Sequence, residues 1–278
     1  MKPSLFSLLT AAGLLCAIAV QSQTTEQRLS LSIGLNTLSR QDLVFSPFVH
    51  SAKSFTNFGL TWERKKRLSQ SFELRFSNFA ASHSDTYEYS QNPDPEIFTT
   101  APHDFTFVEL NYGLSKFWQR GRTTFQLGGV LENSIQLMNY NTGPFSFFGY
   151  FTSFGVGPSF SASLPVGQKG KLDFAISAPL ISWVARSPYL VNDDEFIENT
   201  TSHKSLSTLV DLIGDGSLQF PDKLQKLSFS ASYLHAVSKR WDMGLAYRMQ
   251  FIRHTEPLPL TSYEHNFSIL FSRKSERP

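Results

Sequence analysis

The feature that most constrains this chain is a period of two. Apolar and small polar residues alternate in segment after segment, roughly from residue 28 to residue 273. Leu29, Leu31, Ile33 and Leu35 are interleaved with Ser30, Ser32, Gly34 and Asn36. Successive side chains of a strand point to opposite faces, so such a segment has one greasy face and one small, polar face. Phe58, Leu60 and Trp62 stand against Gly59, Thr61 and Glu63, and Phe72, Leu74 and Phe76 against Glu73, Arg75 and Ser77. Val108, Leu110 and Tyr112 oppose Glu109, Asn111 and Gly113, and the last segment sets Tyr263, Phe267, Ile269 and Phe271 against Glu264, Asn266, Ser268 and Ser272. About ten segments of this kind are read, and 26 Phe supply much of the greasy side. Beyond the first 22 residues no run of 18 apolar residues occurs, so any membrane crossing is made by strands.

Alternation also fits a soluble sandwich, whose strands are apolar inward and polar outward. Three observations favour an all-β, closed, antiparallel up-and-down transmembrane β-barrel of about 10 strands. The connections mostly alternate: those at residues 65–69, 119–122, 166–170 and 238–240 are tight, those at 39–53, 82–104 and 191–224 are long, and the other two on that side, near 142–144 and 256–260, are shorter. Short turns at one end and longer loops at the other are the pattern of membrane barrels. Trp62, Trp118 and Trp241 each lie near a tight turn on the greasy parity, where indole favours the headgroup boundary of a membrane. The polar parity carries charges of both signs: Glu73, Arg75, Glu109, Glu132, Arg248 and Glu264, with Glu63 nearby. A buried carboxylate without a partner costs several kcal/mol, so the arginines are expected to pair with the glutamates in the lumen. Eight strands already leave an interior that side chains can fill, which argues against a wide general pore.

On these residues the chain resembles outer-membrane β-barrel proteins of Gram-negative bacteria. The resemblance rests on the pattern and covers about residues 28–273. It implies an outer-membrane location, lipid around the barrel, and insertion by the barrel-assembly machinery. The run Tyr263, Phe267, Ile269, Phe271 looks like the aromatic terminal-strand signal that this machinery reads, although Ser272 to Pro278 follow it. Residues 1–22 fit the export such a protein needs. Lys2 precedes an apolar stretch, Leu5 to Val20, and Val20 and Ser22 suit a cleavage site near Ser22, with Ala17 and Ala19 as the alternative. The expected division is therefore a signal peptide at 1–22 and a barrel domain at 23–278. Cys16 is the only cysteine and leaves with the leader, which excludes disulfides, zinc-thiolate sites and a cysteine nucleophile from the mature chain.

The net charge of +2 and the lack of a basic stripe give no case for nucleic acid. No catalytic or metal signature is read, and no cofactor is expected. The leading functional reading is a non-enzymatic barrel with a structural, surface-binding or narrow-channel role, open to a small solute or surface ligand. The first rival is an outer-membrane hydrolase. Omptin-type proteases share the strand count, and His83 and Asp85 in one long loop with Asp193 and Asp194 in another are the groups that would activate a water. The order of these residues does not match the Asp pairs of that family. A lipase would need a Ser and a His at the lipid-facing wall; His235 and His265 are on the greasy parity, with no serine motif beside them. The second rival is a secreted soluble β-protein that binds an apolar ligand. In the 191–224 loop, Leu206, Leu209, Val210 and Ile213 recur at helical spacing before Gly214. They point to a short helix that either caps the mouth or lies on the surface.

Overall fold

The computed structural model describes residues 25–84, 88–90, 97–142, 145–188, 210 and 213–277. The leader therefore lies outside the described residues. In chain order the strands are β1 (Thr25–Asp42), β2 (Ser46–Ser54), β3 (Asn57–Lys65), β4 (Ser69–Ala81), β5 (Glu88–Ser90), β6 (Ile97–Thr99), β7 (His103–Arg120), β8 (Thr123–Thr142), β9 (Phe145–Val166), β10 (Gly170–Ser177), β11 (Ile181–Arg186), β12 (Ser217–Gln219), β13 (Leu224–Ala236), β14 (Trp241–His254) and β15 (Leu260–Arg277). All pairings are antiparallel, and β15 pairs with β1 to close the sheet on itself.

Ten staves make the wall, because three of them are broken. β2 and β3 both pair with β1, interrupted at Phe55 and Thr56. β10 and β11 both pair with β9, interrupted where Pro179 has no N–H to donate to the ladder. β12 continues into β13 past Pro221. β5 and β6 form a separate hairpin in the second long connection. The short turns are built for their job. Gly121 and Gly167 take φ of 63° and 62°, a left-handed backbone that glycine adopts without a Cβ penalty. Ser238 Oγ accepts hydrogen bonds from the N–H groups of Arg240 and Trp241.

Parity in the half nearer the short turns is as the alternation implies. Leu29, Leu31 and Ile33 are exposed on the outer wall, as are Phe72, Leu74 and Phe76, and Phe267, Ile269 and Phe271. Trp118 and Trp241 are exposed beside their turns, and Trp62 shares their outward face through its pairing with Leu29 and Phe72. The other half reverses this arrangement. Beyond Asn36 the outward residues of β1 are Thr37, Ser39 and Gln41, and the inward ones include Leu38. Beyond Phe76 the outward residues of β4 are Asn78, which bonds Asp104 and Thr106, and Ala80, and the inward ones are Ser77, Phe79 and Ala81.

The inward residues of that half form one apolar core: Leu38, Ala52, Phe79, Ala81, Phe105, Phe107, Met138, Tyr140, Phe151, Val184, Leu224, Ile252 and Leu260. Every one of the ten staves contributes to it. Expecting a polar face along the whole inner wall therefore needs correction. Where the outside is hydrocarbon the inside is polar; where the outside is water the inside packs as in a soluble protein. A transmembrane strand needs only ~9–11 residues, and β8 and β9, with 20 and 22, stand well clear of that length.

Candidate functional site

The barrel axis offers two places where chemistry can happen: the polar lumen of the embedded half and the filled mouth above it. The lumen holds a cavity of about 340 Å³ that runs from the short-turn rim, at Lys65 and Lys171, to a layer of charged residues at mid-height. Serine is the commonest residue in its lining, with Ser30, Ser71, Ser161, Ser230 and Ser268 among them. At the rim Lys171 pairs with Asp173 at 2.7 Å, and Asp242 is shared by Arg28 at 3.3 Å and Lys274 at 2.8 Å.

The charged layer contains the six residues that the inward parity singled out. Arg248 lies 2.8 Å from Glu109 and 3.7 Å from Glu73, and Arg75 lies 3.6 Å from Glu73 and 3.9 Å from Glu109. Gln250 donates to Glu109 at 2.6 Å, and Asn111 to Glu73 at 3.1 Å. Glu264 stands apart from the arginine pairs and accepts from Asn36 Nδ2 at 2.7 Å. Glu132 takes a cation the sequence reading did not name, Lys226, at 3.3 Å, together with the hydroxyls of Ser177 and Ser228. Lys226 keeps the inward parity of Ser228, near the start of β13. Such a layer holds its carboxylates by charge-assisted bonds and spans the lumen from β4 to β14.

Above the layer a second set of ions is embedded in the apolar core. Arg40 donates to Gln136 at 2.7 Å and to Asp42 at 3.0 Å, with its guanidinium about 6 Å from the rings of Phe107 and Phe151. Arg186 also pairs with Asp42 and donates to the carbonyls of Glu256 and Leu258, at 2.8 and 2.6 Å. It thereby ties the connection between β14 and β15 across the mouth. Phe45, in the turn after β1, packs on Tyr140 from above. His254 bonds Gln219 at 2.6 Å.

The candidate hydrolytic set is not assembled among the described residues. Asp85, Asp193 and Asp194 lie outside them, and the rings beside His83 are Phe48, His50 and His103, with no carboxylate among them. His265 bonds Tyr247, and His235 bonds Tyr233. Neither has a serine partner among the described hydrogen bonds. Leu206 and Leu209 of the candidate helix are also outside the described residues. The described end of that loop lies against the outer wall, where Trp183 Nε1 donates to the Ile213 carbonyl at 2.8 Å.

No protein-family model matches the chain, and no curated protein does. Among solved structures, the outer membrane protease OmpT of Escherichia coli superposes with a TM-score of 0.52 at 6% identity, over 93% of this chain and 99% of that one. This likeness is one of fold alone: a closed antiparallel barrel, the architecture of outer-membrane β-barrels. The Neisserial surface protein A matches with a TM-score of 0.37 at 7% identity, over 91% of this chain and 100% of that one. The Pseudomonas putida toluene transporter TodX matches with 0.34 at 8%, over 91% and 90%.

Proposed function

We propose that this chain is a non-conducting outer-membrane barrel that anchors and displays a rigid, water-exposed barrel extension at the cell surface, with a structural or surface-binding role. The observation that carries this reading is the apolar core across the mouth, to which all ten staves contribute and in which Phe79, Phe105, Phe151 and Met138 are completely buried. A pore needs a continuous wet path, and a dry, close-packed layer interrupts it. Lipid surrounds the belt of Leu, Ile and Phe, and the barrel-assembly machinery reads the last strand during insertion. The test is reconstitution of the full-length protein into planar bilayers. No discrete conductance steps are expected, and steady, voltage-independent conductance from the unaltered protein would refute the proposal.

A second reading, a surface hydrolase, draws on the fold shared with the E. coli protease. It predicts that peptide cleavage by the purified barrel is lost in His83→Ala, Asp85→Asn and Asp194→Asn. Cleavage that survives all three substitutions excludes that site.

A further inference from the structure

Three histidines at the mouth take no part in the ion layer. His50 is on β2. His83 follows Ser82, which is bridged to Ser51, and His103 opens β7 opposite Ala81. The register therefore sets three imidazoles from three neighbouring staves at one height. The His50 ring lies 4.7 Å from that of His103 and 5.3 Å from that of His83, and one ring nitrogen of each lies within 4.8 Å of the other two. His50 is 2% exposed, and neither of its ring nitrogens has a hydrogen-bond partner. Buried polar atoms are nearly always satisfied, so this ring lacks a partner that its histidine neighbours do not supply. Aromatic walls hold the group: Phe48 stacks on His83 at 4.5 Å, and Tyr140 packs against both His50 and His103.

The geometry points to a binding site for a divalent transition-metal cation, held by His50, His83 and His103 and reached from outside past the exposed His83. The donor set names the class. Three imidazoles with neither carboxylate nor thiolate suit zinc, copper or nickel, and not calcium or magnesium, which take oxygen ligands. Metal–nitrogen bonds of ~2.0–2.1 Å put two ligand atoms at most ~4.2 Å apart, so small ring rotations close the set. The nearest fixed charges are Arg40 and Asp42, paired at 3.0 Å, and Asp42 also takes Arg186, so the group keeps one net positive charge that the imidazole ligands must outweigh. His103 is the ligand that must adjust most. Its Nδ1 accepts the Asn141 N–H at 3.0 Å. Loading the cation breaks that bond, either by taking Nδ1 itself or by taking Nε2 and moving the ring proton to Nδ1, and Asn141 is half-buried at a strand end where water can replace the contact.

The test uses the full-length, untagged barrel in detergent, stripped with chelator and titrated with zinc chloride by calorimetry. One equivalent is expected to bind saturably, at least tenfold more weakly in His50→Ala and His83→Ala and unchanged in His235→Gln, a histidine on the outer wall. Folding of each variant is checked by its heat-dependent migration on gels. If His50→Ala does not fold, His83→Ala decides, because His83 is exposed and holds no core together. Absence of saturable binding, or an equivalent that survives His83→Ala, overturns the site. With copper(II) in place of zinc, the electron paramagnetic resonance spectrum is expected to show three nitrogen ligands; fewer than three overturns the three-histidine assignment.

Discussion

The two halves of β1 obey opposite rules although the strand never changes direction. From Leu29 to Leu35 the greasy residues face out; from Thr37 to Asp42 the outward ones are Thr37, Ser39 and Gln41, and Leu38 faces in. The same inversion occurs on β4 between Phe76 and Phe79. What changes between the halves is the solvent. Hydrocarbon outside rewards an apolar exterior and leaves the interior free to be polar, whereas water outside restores the ordinary demand for a dry centre. The lower interior is thus held by ion pairs around a cavity, and the upper one by packing around Arg40 and Asp42.

The largest effect that would sharpen this contrast comes from removing a ring on each side of the boundary. Phe105→Ala, at a fully buried position of the mouth, is expected to cost about 3–5 kcal/mol. Phe72→Ala, on the lipid wall, is expected to cost less, about 1.5–3 kcal/mol, because it loses the ring's transfer from water into hydrocarbon while lipid refills the space. Urea titration of the folded barrel in vesicles measures both, and equal losses would remove the distinction. A charge placed outside gives the next largest effect. Leu31→Arg should destabilise by roughly 2–4 kcal/mol, the cost of arginine near the bilayer midplane. Ser39→Arg, eight residues further along the same face, should change stability by less than about 0.5 kcal/mol.

The smallest effect is one of pH. Burial first, then the neighbouring His103 and His83, depress the His50 pKa from its ordinary 6.5 to about 4. The folded state therefore holds His50 neutral while the unfolded chain protonates it below 6.5. Its contribution to stability is complete above that pH and is lost as pH falls toward about 4. The loss is on the order of 1 kcal/mol at pH 5.5. The His254 pKa is depressed to about 4 as well, chiefly by burial, so His50→Gln should reduce the slope of the urea midpoint between pH 7 and 5 without abolishing it; an unaltered slope would show that His50 carries none of it.

The staves of the embedded half were legible because lipid and lumen impose opposite chemistry on alternate residues, and Leu29 to Asn36 displays this directly. The mouth was not legible. On β7 the inward Phe105 and Phe107 run into the outward Val108 and Leu110, so the change of phase reads as one apolar patch. Of the charged layer, the carboxylates and arginines flanked by clear alternation were visible in the sequence, and Lys226 at a strand start was not. The histidines gave no sequence signal either, since 33 and 20 residues separate them. Only the pairing of β2, β4 and β7 makes them neighbours.

The way the mouth is closed also determines how it would have to open. A stopper made from a folded-in loop swings away on a hinge, but this one is stitched to every stave, so no single segment can withdraw it. Clearing a passage would mean spreading the cylinder and tearing its hydrogen-bond seams. Under the proposed non-conducting role, a solute finds only a cul-de-sac, entered and left by the end that bears the short turns.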